Sequence, residues 1–163
     1  MRPVGGRALH RGSLETHIRI AWSTMEIHRP GEGRLHDGTV VATLGTFDGV
    51  HLGHQEVLGR TAMEARRRGV PSAVVTFTSH PAQVLRPESA PLILTSLDDR
   101  LGLISDCGID HAYLIDFDES VVRRTALEFT ETVLVGEVGA EAIVVGYDLH
   151  FGNRREGGLK FLR

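Results

Sequence analysis

One cysteine, Cys107, stands among 163 residues, which excludes an internal disulfide framework and a cysteine-based zinc finger. No apolar run approaches the ~20 residues that a membrane helix needs, so no membrane partner is expected. The first residues lack the apolar centre of a secretory signal, and neither a repeat nor a low-complexity tract is present. Lysine is nearly absent: of 18 basic residues only Lys160 is not arginine. Arginine suits phosphate recognition, but a GC-rich coding sequence gives the same bias, and we take that reading for most of them. The net charge is −3, and residues 1–36 carry six arginines against three glutamates. The remainder is therefore acidic, which argues against nucleic acid as a partner held by bulk charge. Oligomeric state and metal preference leave no mark on the pattern.

What is present reads as a single globular domain, with 41% hydrophobic and 24% charged residues. Residues 1–36 show no sustained periodicity and read as an irregular or disordered leader. An overextended start is the alternative, with Met25 as first residue, and Met25–His36 then adds an edge strand or a lead-in loop. From residue 37 onward the pattern is ordered. Thr39–Gly45 is a short β-branched run that suits a buried parallel strand. His54–Arg68 predicts a helix with Val57, Leu58, Ala62 and Ala65 on one face and Gly69 as its stop. Pro71–Phe77 is a second strand, and 78–94 is a proline-punctuated loop. Ser96 and Asp99 begin a helix with Leu97, Leu101 and Ile104 as its stripe, ended by Gly108. His111–Phe117 is a third strand. Thr125 and Glu128 form a capping box for a helix over 126–138, stopped by Gly139. Ala142–Gly146 is a fourth strand, and the tail from Tyr147 is a glycine- and arginine-rich loop leading towards a helix. Cys107 reads as buried and inert.

Alternating strands and helices imply an α/β fold with a parallel sheet covered on both faces. Ligands bind such sheets beyond the carboxyl ends of the strands. Segments 45–54, 77–81 and 146–155 meet there.

The first of these is the most informative: Gly45-Thr46-Phe47-Asp48-Gly49-Val50-His51-Leu52-Gly53-His54. It lacks both the dinucleotide-binding glycine spacing and the lysine of a P-loop. It places two histidines where a helix begins, so that free amides and the positive dipole end already favour an anion. Gly53 lets a flat base approach the backbone. A zinc site at this pair would need a third ligand, such as His80, from across the fold.

The strand–GTFDxxHxGH–helix arrangement resembles the HxGH nucleotidyltransferases. Phe47–Gln55 is similar to bacterial FAD synthetases, the bifunctional riboflavin kinase/FMN adenylyltransferases. Three further segments agree: Val75-Thr76-Phe77-Thr78-Ser79-His80-Pro81, Pro91-Leu92-Ile93-Leu94-Thr95-Ser96-Leu97 and Val145-Gly146-Tyr147-Asp148-Leu149-His150-Phe151-Gly152. Thr78, Ser79 and Leu149 depart from the usual pattern. The resemblance implies a Rossmann-like nucleotidyltransferase fold over 37–163, C-terminally incomplete. The chain ends before the family's S-S-T-x-x-R signature and its riboflavin kinase domain, so it reads as a fragment or a truncated product.

The implied activity belongs to FAD biosynthesis in the cytoplasm: AMP passes from ATP to FMN, giving FAD and pyrophosphate. Riboflavin kinase activity is expected only of a full-length member. By resemblance His51, His54 and Asp48 are catalytic, and Gly45, Thr46, Phe47 and Gly53 bind the nucleotide. His80, Pro81, Asp148, Phe151 and Gly152 face the flavin or its phosphate. Mg²⁺ is the implied cofactor, held through Asp48 or Asp148, although Asp48 reads equally as a loop cap. Phe151 reads equally as a core residue. The alternatives are an inactive nucleotide- or flavin-binding fragment, and a cytidylyltransferase-like enzyme with another acceptor phosphate.

Overall fold

The computed structural model describes residues 25–162. Of the leader expected over 1–36, residues 1–24 lie outside them, and 25–36 are not an irregular leader, since they carry a strand of the sheet and a core residue. Five parallel strands form one sheet: β1 (Glu26–His28), β2 (Val40–Leu44), β3 (Ser72–Phe77), β4 (His111–Ile115) and β5 (Ala140–Ile143). Their order is β1-β4-β3-β2-β5. The chain steps outward from β2 through β3 to β4, then returns to lay β5 on the other side of β2. The order reverses between β2 and β5, and such a switch point opens a crevice at the strands' carboxyl ends.

The three central strands are buried along their whole length, as β-branched runs covered on both faces must be. Side chains alternate between two cores. Val40, Ala42, Leu44, Ala73, Val75 and Tyr113 meet Phe129, Val133, Leu134 and Val138 on one face. On the other, Val74, Ala112 and Leu114 meet Leu58 and Ala62 of α1 (Leu52–Arg68), and Leu101 and Ile104 of α3 (Leu97–Asp106). The expected caps are in place: Ser96 Oγ accepts from the Asp99 amide, and Gly69 closes α1 at φ 73°. Cys107 packs half-buried against the second core, and burial, then Asp106, pushes its thiol up.

Four further expectations are corrected. The proline-rich loop contains a short helix, α2 (Pro81–Leu85), because His80 Nδ1 accepts from the Ala82 amide and Pro81 takes the first helical position. A second short helix, α4 (Glu119–Arg123), follows β4, capped by Asp118, whose Oδ1 accepts from the Ser120 and Val121 amides. The helix begun by the Thr125–Glu128 capping box is α-helical only over α5 (Ala126–Glu128) and then π-helical over Phe129–Glu137. The apolar spacing explains this. Nine residues of α-helix, at ~100° each, would turn Val138 half a turn away from Phe129. The wider turn, seen in the Val138 amide bonding the Val133 carbonyl at 2.8 Å, returns both to the sheet. Lastly, β5 starts two residues before the expected strand, with a register shift on β2 between Val40 and Val41.

Met25–His36 supplies the edge strand β1, paired with β4, and Leu35 enters the core. Within the tail, β6 (His150–Phe151) and β7 (Gly157–Gly158) form a small antiparallel hairpin. None of the described helices is long and apolar enough to cross a membrane.

Candidate active site

Beyond β2 the chain makes a tight, strained passage. Phe47 (φ 52°), Gly49 (φ 71°) and Val50 (φ 35°) all lie in the left-handed region. For the two non-glycine residues this costs on the order of 1–3 kcal/mol each. Burial in the α1/α3 core holds them there, since Phe47 is 2% and Val50 3% exposed. Asp48 fixes the passage from the other side. Its carboxylate accepts from the Leu94 amide at 2.9 Å, the Thr95 amide at 3.0 Å and Thr95 Oγ1 at 2.9 Å. Burial alone would raise the Asp48 pKa, but these hydrogen bonds and His80 outweigh it and hold the pKa down.

The passage delivers His51 to the N-cap of α1, where its Nδ1 accepts from the His54 amide at 3.3 Å. The two imidazoles stack with centroids 3.7 Å apart and planes 19° from parallel. Phe47 meets His54 edge-on at 5.1 Å. Gly53 makes the stack possible: a Cβ there would lie 3.3 Å from His51 Cε1 and Nδ1. The amides of Leu52 and Gly53, at the helix start, have no intrahelical acceptor. His54 is half-buried, and its Nδ1 has no hydrogen-bond partner among the described residues. Burial, then His51, lowers its proton affinity, opposed by Asp148 and Asp48. A buried polar ring nitrogen left without a partner is a departure from ordinary packing that a functional role would explain.

Asp148 reaches this rim from the β5 side. A Cβ on Gly146 would meet Asp148 Oδ1 at 3.1 Å and Val57 of α1 at 3.9 Å, so the 146–148 turn lies against α1. Thr46 contributes its carbonyl, which accepts from Thr76 Oγ1 and Arg100. Next to the strained passage is a cleft of about 130 Å³ lined by Asp48, Thr78, Ser79, His80, Thr95 and Arg100.

Arg100 is a participant that the sequence reading missed. It is 4% exposed, and it bonds the Thr46 and Phe77 carbonyls, thereby tying the ends of β2 and β3. Its Nε has no hydrogen-bond partner among the described residues. Burial pulls its pKa down and Asp48 pushes it up. The signal was available: Arg100 interrupts the apolar stripe of Leu97, Leu101 and Ile104, where a charge needs a reason.

Thus the structure groups Gly45, Thr46, Phe47, Asp48, His51, Gly53, His54 and Asp148, with His80 across the cleft. His80 and Pro81 also have a local task as the cap and first residue of α2. Phe151 and Gly152 are placed differently. The Phe151 ring packs between Phe129 and Phe161, and Gly152 lies so close to the Ala126 amide that a Cβ would sit 2.6 Å away. Their described contacts dock the hairpin on α5 rather than meet the histidine pair. Exposed apolar side chains gather at the rim instead: Leu52 is 81%, Leu94 73% and Tyr147 93% exposed.

Comparison with known proteins identifies the family. The family described as FAD synthetase matches residues 34–163. A bifunctional riboflavin kinase/FMN adenylyltransferase of Pseudomonas fluorescens is 39% identical over 123 residues, 76% of this chain and 39% of that protein. The protein of that name from Bacillus subtilis (strain 168) is 34% identical over 121 residues, 74% of this chain and 38% of its own. A crystal structure described as a macrolide-efflux protein from Streptococcus pneumoniae matches with a TM-score of 0.67 and 32% identity, over 74% of this chain and 40% of that one. The chain spans about two-fifths of the length of the curated relatives it matches. With the fold, the histidine-bearing helix start and these matches in agreement, the chain belongs to the FAD synthetase family.

Proposed function

We propose that this chain carries adenylyl transfer from ATP to FMN in FAD biosynthesis, in the cytoplasm. The observation that supports it most is the stacked His51–His54 pair on the free-amide end of α1, at the switch point of the sheet. A phosphate oxygen of FMN attacks the α-phosphorus of ATP. The bond from that phosphorus to the bridging oxygen breaks, and its electron pair leaves with pyrophosphate. The attacking oxygen is already ionised, so positioning and charge stabilisation are what the protein supplies. His51 and His54 hydrogen-bond the triphosphate, together with the amides of Leu52 and Gly53. Gly45, Thr46 and Phe47 line the nucleotide. The cleft beside Asp48 takes the acceptor phosphate, under the charge of Arg100 and within reach of His80. The apolar rim of Leu52, Leu94 and Tyr147 receives flat rings.

Of the two acidic residues considered for Mg²⁺, Asp48 has its oxygens committed to three donors. Asp148, with its electrostatic reach to His54, suits the ion better. Asp148 would hold the ion there, and the ion would supply neutralisation of phosphate charge. We assign these residues adenylyl transfer alone, and none of the riboflavin kinase activity named in the longer relatives.

The test is incubation of the purified chain with FMN, ATP and Mg²⁺, with FAD separated chromatographically. FAD and pyrophosphate formation is the expected result. Turnover with CTP and a polyol phosphate, but not FMN, would reassign the acceptor. Calorimetric ATP binding without any turnover would reduce the chain to a nucleotide-binding module.

A further inference from the structure

At the opposite end of the sheet, where β4 begins, three donors converge from two strands. His28 Nε2 lies 3.2 Å from His111 Nδ1. Glu26 Oε2 lies 3.7 Å from the first and 3.6 Å from the second. Strand pairing produces this: Glu26 is the register partner of His111, and His28, two residues along β1, emerges on the same face. Two imidazole nitrogens and one carboxylate oxygen form a donor set suited to borderline divalent ions.

The spacing fits as well as the chemistry. Donors ~2.1 Å from a tetrahedral ion stand ~3.4 Å apart. The three separations here bracket that value, and a point about 2.1 Å from all three atoms lies just off their plane. Exposure also suits a metal centre. The His111 and His28 side chains are 11% and 23% exposed and fixed by the sheet, whereas Glu26 is 69% exposed and open to solvent. His36, whose ring centroid is 5.8 Å from that of His111, has its Nδ1 occupied by the Gly38 amide.

We propose that Glu26, His28 and His111 bind a divalent ion of the Zn²⁺ class, remote from the nucleotide cleft. The ion pins the short edge strand β1, held to β4 by only three register pairs, onto the sheet. This inference stands independently of the activity proposed above.

The experiment uses the full chain, stripped of metal with a chelator and titrated with Co²⁺, then Zn²⁺. We expect about one Co²⁺ per chain with the intense visible bands of low-coordinate cobalt, displaced by Zn²⁺. Saturating Zn²⁺ raises the melting temperature by several degrees, and equimolar Mg²⁺ does not. His28→Ala and, separately, the mild Glu26→Gln each weaken Co²⁺ binding about tenfold or more. Weak octahedral bands, unchanged bands in both variants, or a melting temperature indifferent to Zn²⁺ would each overturn the proposal.

Discussion

Asp48 and Asp110 sit at opposite ends of the same sheet, and each ties two segments together. At the amino ends of the strands, Asp110 accepts from the Ser72 amide at 2.8 Å and from Ser72 Oγ at 2.7 Å, while its own amide donates back to Ser72 Oγ at 3.1 Å. That exchange is closed, and nothing in it asks for a ligand. At the carboxyl ends, Asp48 is as well bonded but holds a passage with two strained residues, Phe47 and Val50. Near it are two buried polar atoms without partners among the described residues, His54 Nδ1 and Arg100 Nε. Local rules are satisfied around Asp110 and broken around Asp48. Broken rules that persist in a well-packed surround mark the working end.

The largest expected effect breaks that contrast at the working end. His54→Ala should lower adenylyl transfer by about 10²–10³-fold, the range for loss of one preorganised transition-state donor. Its melting temperature should stay near that of the parent, because the half-buried ring satisfies no other group. Transfer at parental rate would remove the histidines from the mechanism. A pH series of melts sharpens the point. The folded His54 pKa is depressed, so the neutral ring favours the fold above its unfolded value of about 6.5. That contribution is lost as pH falls through the lower folded value. The parent should therefore lose stability between pH 7 and 5 more steeply than His54→Ala.

Next in size is the paired comparison of the two carboxylates. Asp48→Ala and Asp110→Ala should each cost about 1–3 kcal/mol in chemical denaturation, through amides left without acceptors. Only Asp48→Ala should also depress transfer, because only it positions His51. Equal loss of transfer in both would mean that stability alone sets the rate. The depressed Asp48 pKa gives a further sign: its contribution is complete above about pH 4 and fades as pH falls through the folded value.

Much of this architecture was legible because local and global signals agreed. The β-branched runs, Ser96 and Thr125 caps, and glycine stops gave the strands and helix starts within about two residues. The π-helical segment was not legible as such, although Phe129 and Val138 are half a turn out of phase for an α-helix. Polar residues with local tasks were harder still. His51 and His80 are both helix N-caps, with Nδ1 receiving an amide. A motif reading assigns histidines to ligands and overlooks the backbone they satisfy. Asp48 was open between metal ligand and loop cap, and only the approach of Leu94 and Thr95, 46 and 47 residues away, shows its bonding. Long-range closure of that kind leaves no periodic trace. Arg100 did leave one, as a charge on an apolar stripe.

Arg100→Met tests that omission with a smaller effect. The variant keeps the stem's packing but frees the Thr46 and Phe77 carbonyls and removes positive charge from the cleft. The expected result is a KM for FMN about tenfold higher, with the KM for ATP nearly unchanged. An equal rise in both would make Arg100 a general prop of the β2 and β3 ends.

The smallest effect separates the two ends of the argument by sign. Gly53 is the second residue of α1, where glycine costs about 0.5–1 kcal/mol relative to alanine. Gly53→Ala should therefore stabilise the helix. Yet its Cβ would stand 3.3 Å from His51 Cε1 and Nδ1, closer than the stacked ring tolerates without shifting by tenths of an ångström. Displacement on that scale is enough to lower transfer, by about tenfold, when catalysis rests on positioning. A melt that rises while turnover falls would show that glycine is retained here for the histidine stack against the preference of the helix. If both rise together, the stack is incidental and the amides of α1 alone grip the phosphates.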